Sequence, residues 1–160
     1  MHTILSAALL FLLPVLSSAS AASVSVSGTL KCHGQPFKHE DVSLYEKNFI
    51  GADTKMTEVK TDESGSFLMK ASISEWPMFT PNPYIYIPNY CTTPIKLGTF
   101  HCANTIKIYV PSEFVSQGHF PKSEFNVGEI NLENAETDKQ GLEIFVHAIF
   151  HHKECRTVKE

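Results

Sequence analysis

The chain has 160 residues, 19% of them charged, and a formal net charge of −4. That length suits one ordinary domain rather than two. No basic surplus marks a nucleic-acid footprint, and no acidic block marks a charged disordered tail.

The first element is an address. Ile4 to Leu16 is an apolar run broken only by Ser6 and Pro14, with no Lys, Arg, Asp or Glu. Ala19-Ser20-Ala21 follows and fits the A-x-A cleavage pattern, so residues 1–21 read as a secretory signal peptide. The run is shorter than the roughly 20 apolar residues of a bilayer span, and no second run approaches that length. The mature chain is expected to be secreted, with no transmembrane segment.

Val24, Val26 and Gly28 alternate with Ser25, Ser27 and Thr29, a period of two that marks a strand with one buried face. Gly34-Gln35-Pro36 is a turn. Val42 to Tyr45 alternates again, Asn48 to Asp53 is a loop, and Thr57 to Thr61 is a strand centred on Val59. Asp62-Glu63-Ser64-Gly65 has the Asp and the closing Gly of a type I turn, predicting a hairpin into Phe67–Lys70. Prolines 77, 81 and 83 exclude a helix from the next segment, leaving room for a short turn at Ser74–Trp76. Tyr84-Ile85-Tyr86-Ile87 is strand-forming, and Pro88 places its far end at an edge or a bulge. Thr105–Val110 and Val127–Leu132 alternate cleanly, with one helical turn near Ser112 between them. Leu142–Phe150 reads as a further strand by its β-branched content. About seven short strands in the body argue an all-β sandwich with Greek-key character.

Four cysteines, Cys32, Cys91, Cys102 and Cys155, lie outside the leader. In an oxidising compartment an even count favours two disulfides, and four cysteines allow three pairings. No C-x-x-C occurs, so zinc-ribbon and thioredoxin readings lose their support. His147 and His151 would face one ion on a helix. On a strand they lie about 13 Å apart, too far to share a metal. No metal and no cofactor is therefore expected. Trp76, Phe79 and Tyr90 stand in an irregular aromatic stretch and form a possible binding face.

Several motifs together resemble the nematode transthyretin-like family. They are Gly28-Thr29-Leu30-Lys31-Cys32-His33-Gly34-Gln35-Pro36, Asp41-Val42-Ser43-Leu44-Tyr45-Glu46, Lys60-Thr61-Asp62-Glu63-Ser64-Gly65-Ser66-Phe67, Pro83-Tyr84-Ile85-Tyr86-Ile87 running to Cys91, and Val127-Gly128-Glu129-Ile130-Asn131-Leu132. The resemblance implies a transthyretin-like (prealbumin-like) sandwich of about seven to eight strands over residues 22–132, secretion, and no known enzymatic chemistry. It implies a bridge between Cys32 and Cys91, which leaves Cys102 for Cys155. Two departures stand out. Pro88-Asn89-Tyr90 replaces the His common before the second cysteine, and residues 133–160 form an extension, expected to add one strand tied by a disulfide.

The function implied is a secreted, non-enzymatic binding module that contacts an extracellular protein, a cell surface or a lipid through loops. The alternative is a carrier of a hormone-like or lipid small molecule, as in transthyretin. A hydrolase of the 5-hydroxyisourate type is disfavoured. The Tyr-Arg-Gly-Ser terminus of such enzymes is missing, and Arg156 is the one arginine available to clamp an anion.

N-terminal sequencing of secreted material should begin at Ala22 or within about two residues of it. A mature product that retains Leu10 to Leu16 would rule the leader out.

Overall fold

The computed structural model describes residues 20–75, 80–91, 95–97, 99–135 and 153–157. Its strands, in chain order, are β1 (Ser20–Cys32), β2 (Gln35–Pro36), β3 (Asp41–Glu46), β4 (Thr54–Lys60), β5 (Ser66–Glu75), β6 (Pro83–Asn89), β7 (Ile95–Leu97), β8 (Phe100–Tyr109), β9 (Ser116–Gln117), β10 (Glu124–Asn131) and β11 (Lys153–Thr157). A single 3-10 turn, Ser112–Phe114, follows β8, with Pro111 rather than Ser112 at its cap.

These strands form two sheets. In the first, β1 lies between antiparallel β5 and parallel β10, with β2 and β9 pairing at its two ends. The second runs β4-β3-β6-β8-β11, with β7 also on β8. The chain is an all-β sandwich.

The period-two patterns decide which side chains meet between the sheets. Val24, Val26, Leu30, Phe67, Met69, Phe125, Ile130 and Leu132 come from the first sheet and the segments joined to it. Val42, Leu44, Ile85, Ile87, Ile106 and Ile108 face them from the second. Burying each such aliphatic side chain contributes about 1.5–3 kcal/mol relative to exposure. At Gly28 a Cβ would collide with the Val127 side chain and stand 2.9 Å from Phe67 Cζ, so a missing side chain here makes room for two apolar neighbours.

Three expectations are corrected. The turn at residues 62–65 forms, with Gly65 at φ 76° and its N–H donating to Asp62 O at 3.0 Å. It is not the turn of a paired hairpin: β4 pairs with β3 and β5 with β1, so this corner carries the chain from one sheet to the other. Second, β5 runs on through Ser74, where a turn had room, because its residues pair all the way to Ser20 and Ala21 of β1. Third, β10 does not alternate throughout. A register shift opposite Gly28 and the positive φ of Gly128 insert a bulge, so Phe125 and Ile130, an odd number apart, both reach the core. The tail cysteine lies on a strand of its own, Lys153–Thr157. Leu142–Phe150 lies outside the described residues.

Pro88 sits inside β6, a central strand. It is tolerated because the β3 pairing stops at Tyr86, so beyond that point β6 has only β8 beside it. β1 also begins at Ser20. Cleavage after Ala21 would leave it starting at Ala22 and shorten its ladder with β5 by two residues.

Gly65→Ala should cost about 1–3 kcal/mol, because the left-handed backbone penalises any Cβ and this Cβ would press on the Leu30 carbonyl oxygen. Leu44→Ala should cost about 2–5 kcal/mol through the cavity it leaves. Urea midpoints of the two variants against the parent check both values.

Candidate binding surfaces

All five tyrosines of the chain lie on or beside the outer face of the second sheet, away from the core. Alternation puts Tyr45 on β3, Tyr84 and Tyr86 on β6 and Tyr109 on β8 on that face. Tyr45 is the direct partner of Tyr84, and Tyr84 of Tyr109, so register alone lines three rings across three strands. Tyr45 and Tyr84 stack with centroids 5.6 Å apart, Tyr84 and Tyr109 tilt at 5.4 Å, and Tyr86 meets Tyr45 edge-on at 5.5 Å. Such pairs each contribute about 0.5–1.5 kcal/mol beyond burial.

A lysine stands over each ring of the row: Lys55 at 5.8 Å from the Tyr45 centroid, Lys107 at 4.5 Å from Tyr84 and Lys47 at 5.6 Å from Tyr109. Acids temper this charge. Glu58 pairs with Lys55 at 2.7 Å and accepts from the Ser43 hydroxyl at 2.7 Å. Asp53 accepts from Tyr84 Oη at 2.7 Å and lies 3.8 Å from Lys107 Nζ. The Lys55 hydrogen bond holds the Glu58 carboxyl below its ordinary range, with Ser43 adding to it. Burial, reinforced by the Asp53 acceptor, pushes the Tyr84 phenol well above its ordinary value. Burial with a Glu154 acceptor does the same to Tyr86. Tyr84 is only 2% exposed, so the centre of the row is packed rather than open.

The ends of the sandwich differ. At one end the 62–65 corner, the end of β1 and the start of β3 converge, with Leu30 N–H donating to Gly65 O at 2.8 Å and His39 N–H to Thr61 O at 2.9 Å. The β3–β4 loop and the β9–β10 loop project from the opposite end. Phe49 and Ile50 occupy the first at 85% and 82% exposure, and Phe120 the second at 83%. The β3–β4 loop is braced from within, since Asn48 Nδ2 donates to Ala52 O at 2.5 Å and to Thr54 Oγ1 at 3.0 Å. The β9–β10 loop is held by Lys122 N–H donating to Ser116 Oγ at 2.8 Å.

Of the sequence-derived binding residues, Trp76 and Phe79 lie outside the described residues. Tyr90 follows the last residue of β6. Its ring lies 3.9 Å from the Arg156 guanidinium, whose Nη1 pairs with Glu40 at 2.8 Å. His147 and His151 also lie outside the described residues. The exposed Phe49, Ile50 and Phe120 were missed by sequence reasoning. The available signal was an apolar pair beside Gly51 in a loop where turn residues are usually polar.

Cys32 is bonded to Cys91, joining the end of β1 in one sheet to the residue just past β6 in the other. The 59-residue separation is worth about 4 kcal/mol in the chain-entropy account. Cys102 is bonded to Cys155. Among the described residues, Cys32, His33 and Cys91 are the one group with ligand atoms close enough for a metal, and both sulfurs are spent in the bridge. No helix among the described residues is long and apolar enough to cross a membrane.

The transthyretin-like family (TTR-52) matches residues 27–111, more than half of the chain. The chain belongs to the transthyretin-like family. Three Caenorhabditis elegans proteins are similar to it. Transthyretin-like protein 33 is 32% identical over 127 residues, covering 78% of this chain and 85% of the relative. Transthyretin-like protein 2 is 28% identical over 116 residues, 69% and 74% of the two chains. Transthyretin-like protein 46 is 27% identical over 128 residues, 78% and 68% of the two. The family match runs from the middle of β1 to just past β8, and so takes in the whole tyrosine row while leaving out β9, β10 and β11. Family membership and two disulfides are compatible with an extracellular protein.

Tyr84 and Tyr86 bind their protons more tightly when folded than the ordinary value of 10.0. Their contribution to stability is therefore full below pH 10 and is lost as pH rises past it. In an ultraviolet alkaline titration these two should ionise only as near-ultraviolet circular dichroism collapses. Ionisation of all five tyrosines near pH 10 with the fold intact would contradict the assignment.

Proposed function

We propose that this transthyretin-like protein is a secreted extracellular binding module that meets a protein, cell surface or lipid through one loop-bearing end of a rigid sandwich. The observation that carries the reading is the placement of Phe49, Ile50 and Phe120. Three large apolar side chains on two internally braced loops face solvent at the same end, above a packed core. Braced loops present a contact surface at little ordering cost, and apolar anchors ringed by polar neighbours are the common currency of binding hot spots. The leader supplies the route to the outside, and two disulfides suit an oxidising compartment. The one arginine is engaged with Glu40 and Tyr90, which favours binding over an arginine-dependent hydrolysis.

The test is binding of fluorescently labelled, oxidised protein to intact cells and extracellular matrix. A variant carrying Phe49→Ser, Ile50→Ser and Phe120→Ser should bind at least tenfold more weakly, with an unchanged strand-type circular dichroism spectrum. Lys70→Ala, on the outer face of the other sheet, should bind like the parent. Equal binding by the triple variant would remove the loop end as the contact surface.

A further inference from the structure

We infer that the Cys102–Cys155 bridge is a reducible latch that holds the C-terminal strand on the sheet, whereas Cys32–Cys91 is a permanent structural tie. The two bridges are built differently. Cys32–Cys91 spans the two sheets, and Cys91 packs against the apolar core. Cys102 and Cys155 are direct partners in the antiparallel β8–β11 ladder, with Cα atoms 4.0 Å apart. That closeness belongs to the position where facing residues do not exchange backbone hydrogen bonds. The bridge therefore joins two strands that are already neighbours and ties no second layer down.

Access differs too: Cys32 and Cys91 are both half-buried. Cys102 is buried at 3% exposure, but Cys155 is exposed, as are Glu154, Arg156 and Thr157 on either side of it. A thiolate reaches a disulfide most readily from an open sulfur at a sheet edge, and exposed bridges are the labile ones. A dithiol reductant of the extracellular oxidoreductase or small-molecule type supplies the electrons. Its thiolate attacks Cys155 Sγ, the Sγ–Sγ bond breaks, and Cys102 leaves as a thiolate that takes up a proton. The second thiol of the reductant then displaces Cys155, which leaves as a thiol. Two electrons and two protons pass to the protein, and the reductant ends as its own disulfide.

Little else holds β11. It buries no side chain among residues 154–157. Beside the backbone ladder to β8, its anchors are the Arg156–Glu40 ion pair, the Arg156–Tyr90 stacking, Tyr90 Oη donating to Glu154 O at 3.1 Å and the Tyr86 hydroxyl donating to the Glu154 carboxylate. Exposed contacts of this kind each contribute about 1 kcal/mol or less. A five-residue strand cannot cover its ordering entropy from them. Once reduced, β11 leaves, and the backbones of His101 and Ala103, which face Arg156 and Glu154 across the ladder, become an open edge able to accept another extended chain.

The test titrates the full oxidised protein with a dithiol under native conditions and traps free thiols with an alkylating agent for peptide mapping. Cys102 and Cys155 should be alkylated at least tenfold faster than Cys32 and Cys91. The far-ultraviolet spectrum should stay strand-type, and amide exchange at His101 and Ala103 should accelerate at least tenfold in the alkylated protein. Cys155→Ser should show that same fast exchange without any reductant. Faster reduction of Cys32–Cys91, equal rates for both bridges, or unchanged exchange at His101 and Ala103 after selective reduction would each overturn the latch.

Discussion

The corner between β4 and β5 is the constraint on which the sandwich depends, because it is where consecutive strands part into different sheets. Thr61, 1% exposed, holds it from the centre. Its hydroxyl donates to Phe37 O at 2.7 Å and accepts from Glu40 N–H at 3.0 Å, and its backbone exchanges bonds with Glu40 O and His39 N–H. Gly65 O takes the Leu30 N–H, and Leu30 O in turn takes the Phe37 N–H. Three chain segments thus share one closed set of backbone partners, which is what buried polar groups require. The Cys32–Cys91 bridge lies at the same end and fastens the same two sheets covalently. Hydrogen bonds and covalent ties concentrate at one end, and the other end is left to its loops.

That asymmetry separates stability from contact. The closed end fixes the sheets, and the tyrosine row stiffens the second sheet across three strands. The loops carrying Phe49, Ile50 and Phe120 then stand on a base that does not need them. The row itself is a poor contact surface. Its central ring is covered, Lys55 and Lys107 are balanced by Glu58 and Asp53, and the Tyr84 hydroxyl already has its acceptor within the face. Cations over rings and acids beside cations are what a sheet face uses to satisfy itself.

Where one face of a strand is buried, its pattern was legible in the sequence. Val24 and Val26, Val42 and Leu44, and Ile106 and Ile108 all alternate into the core as their spacing predicted, and Ile85 and Ile87, read as strand-forming by composition, join them. The turn chemistry at Asp62–Gly65 was legible too, but its consequence was not. A tight turn looks the same locally whether its strands pair or diverge, and only the competition of β3 for β4 and of β1 for β5 decides. The β10 bulge was hidden for a related reason, since Val127–Leu132 reads as one alternating run until the gap opposite Gly28 shifts the register. Two-residue strands such as β2 and β9 carry no period at all. On the surface, residues on separate strands come together only through register, so the row Tyr45–Tyr84–Tyr109 could not be read from residues 39 and 25 positions apart in the chain.

The two disulfides show how one count of cysteines covers two kinds of bond. An even number in an oxidising setting argues pairing, and it says nothing about what each pair does. The sequence separations are also nearly equal, 59 and 53 residues, so the loop-entropy account assigns both bridges similar worth. Placement breaks that tie. A bond between layers opposes the separation of the sheets and therefore global unfolding. A bond between adjacent strands opposes only the departure of the outer one. The β8–β11 edge opens at lower free energy than the core, because β11 brings no buried apolar area to the ladder. Loss of the second bridge is therefore felt locally at β11 and the β8 edge, while loss of the first is felt by every residue between the sheets.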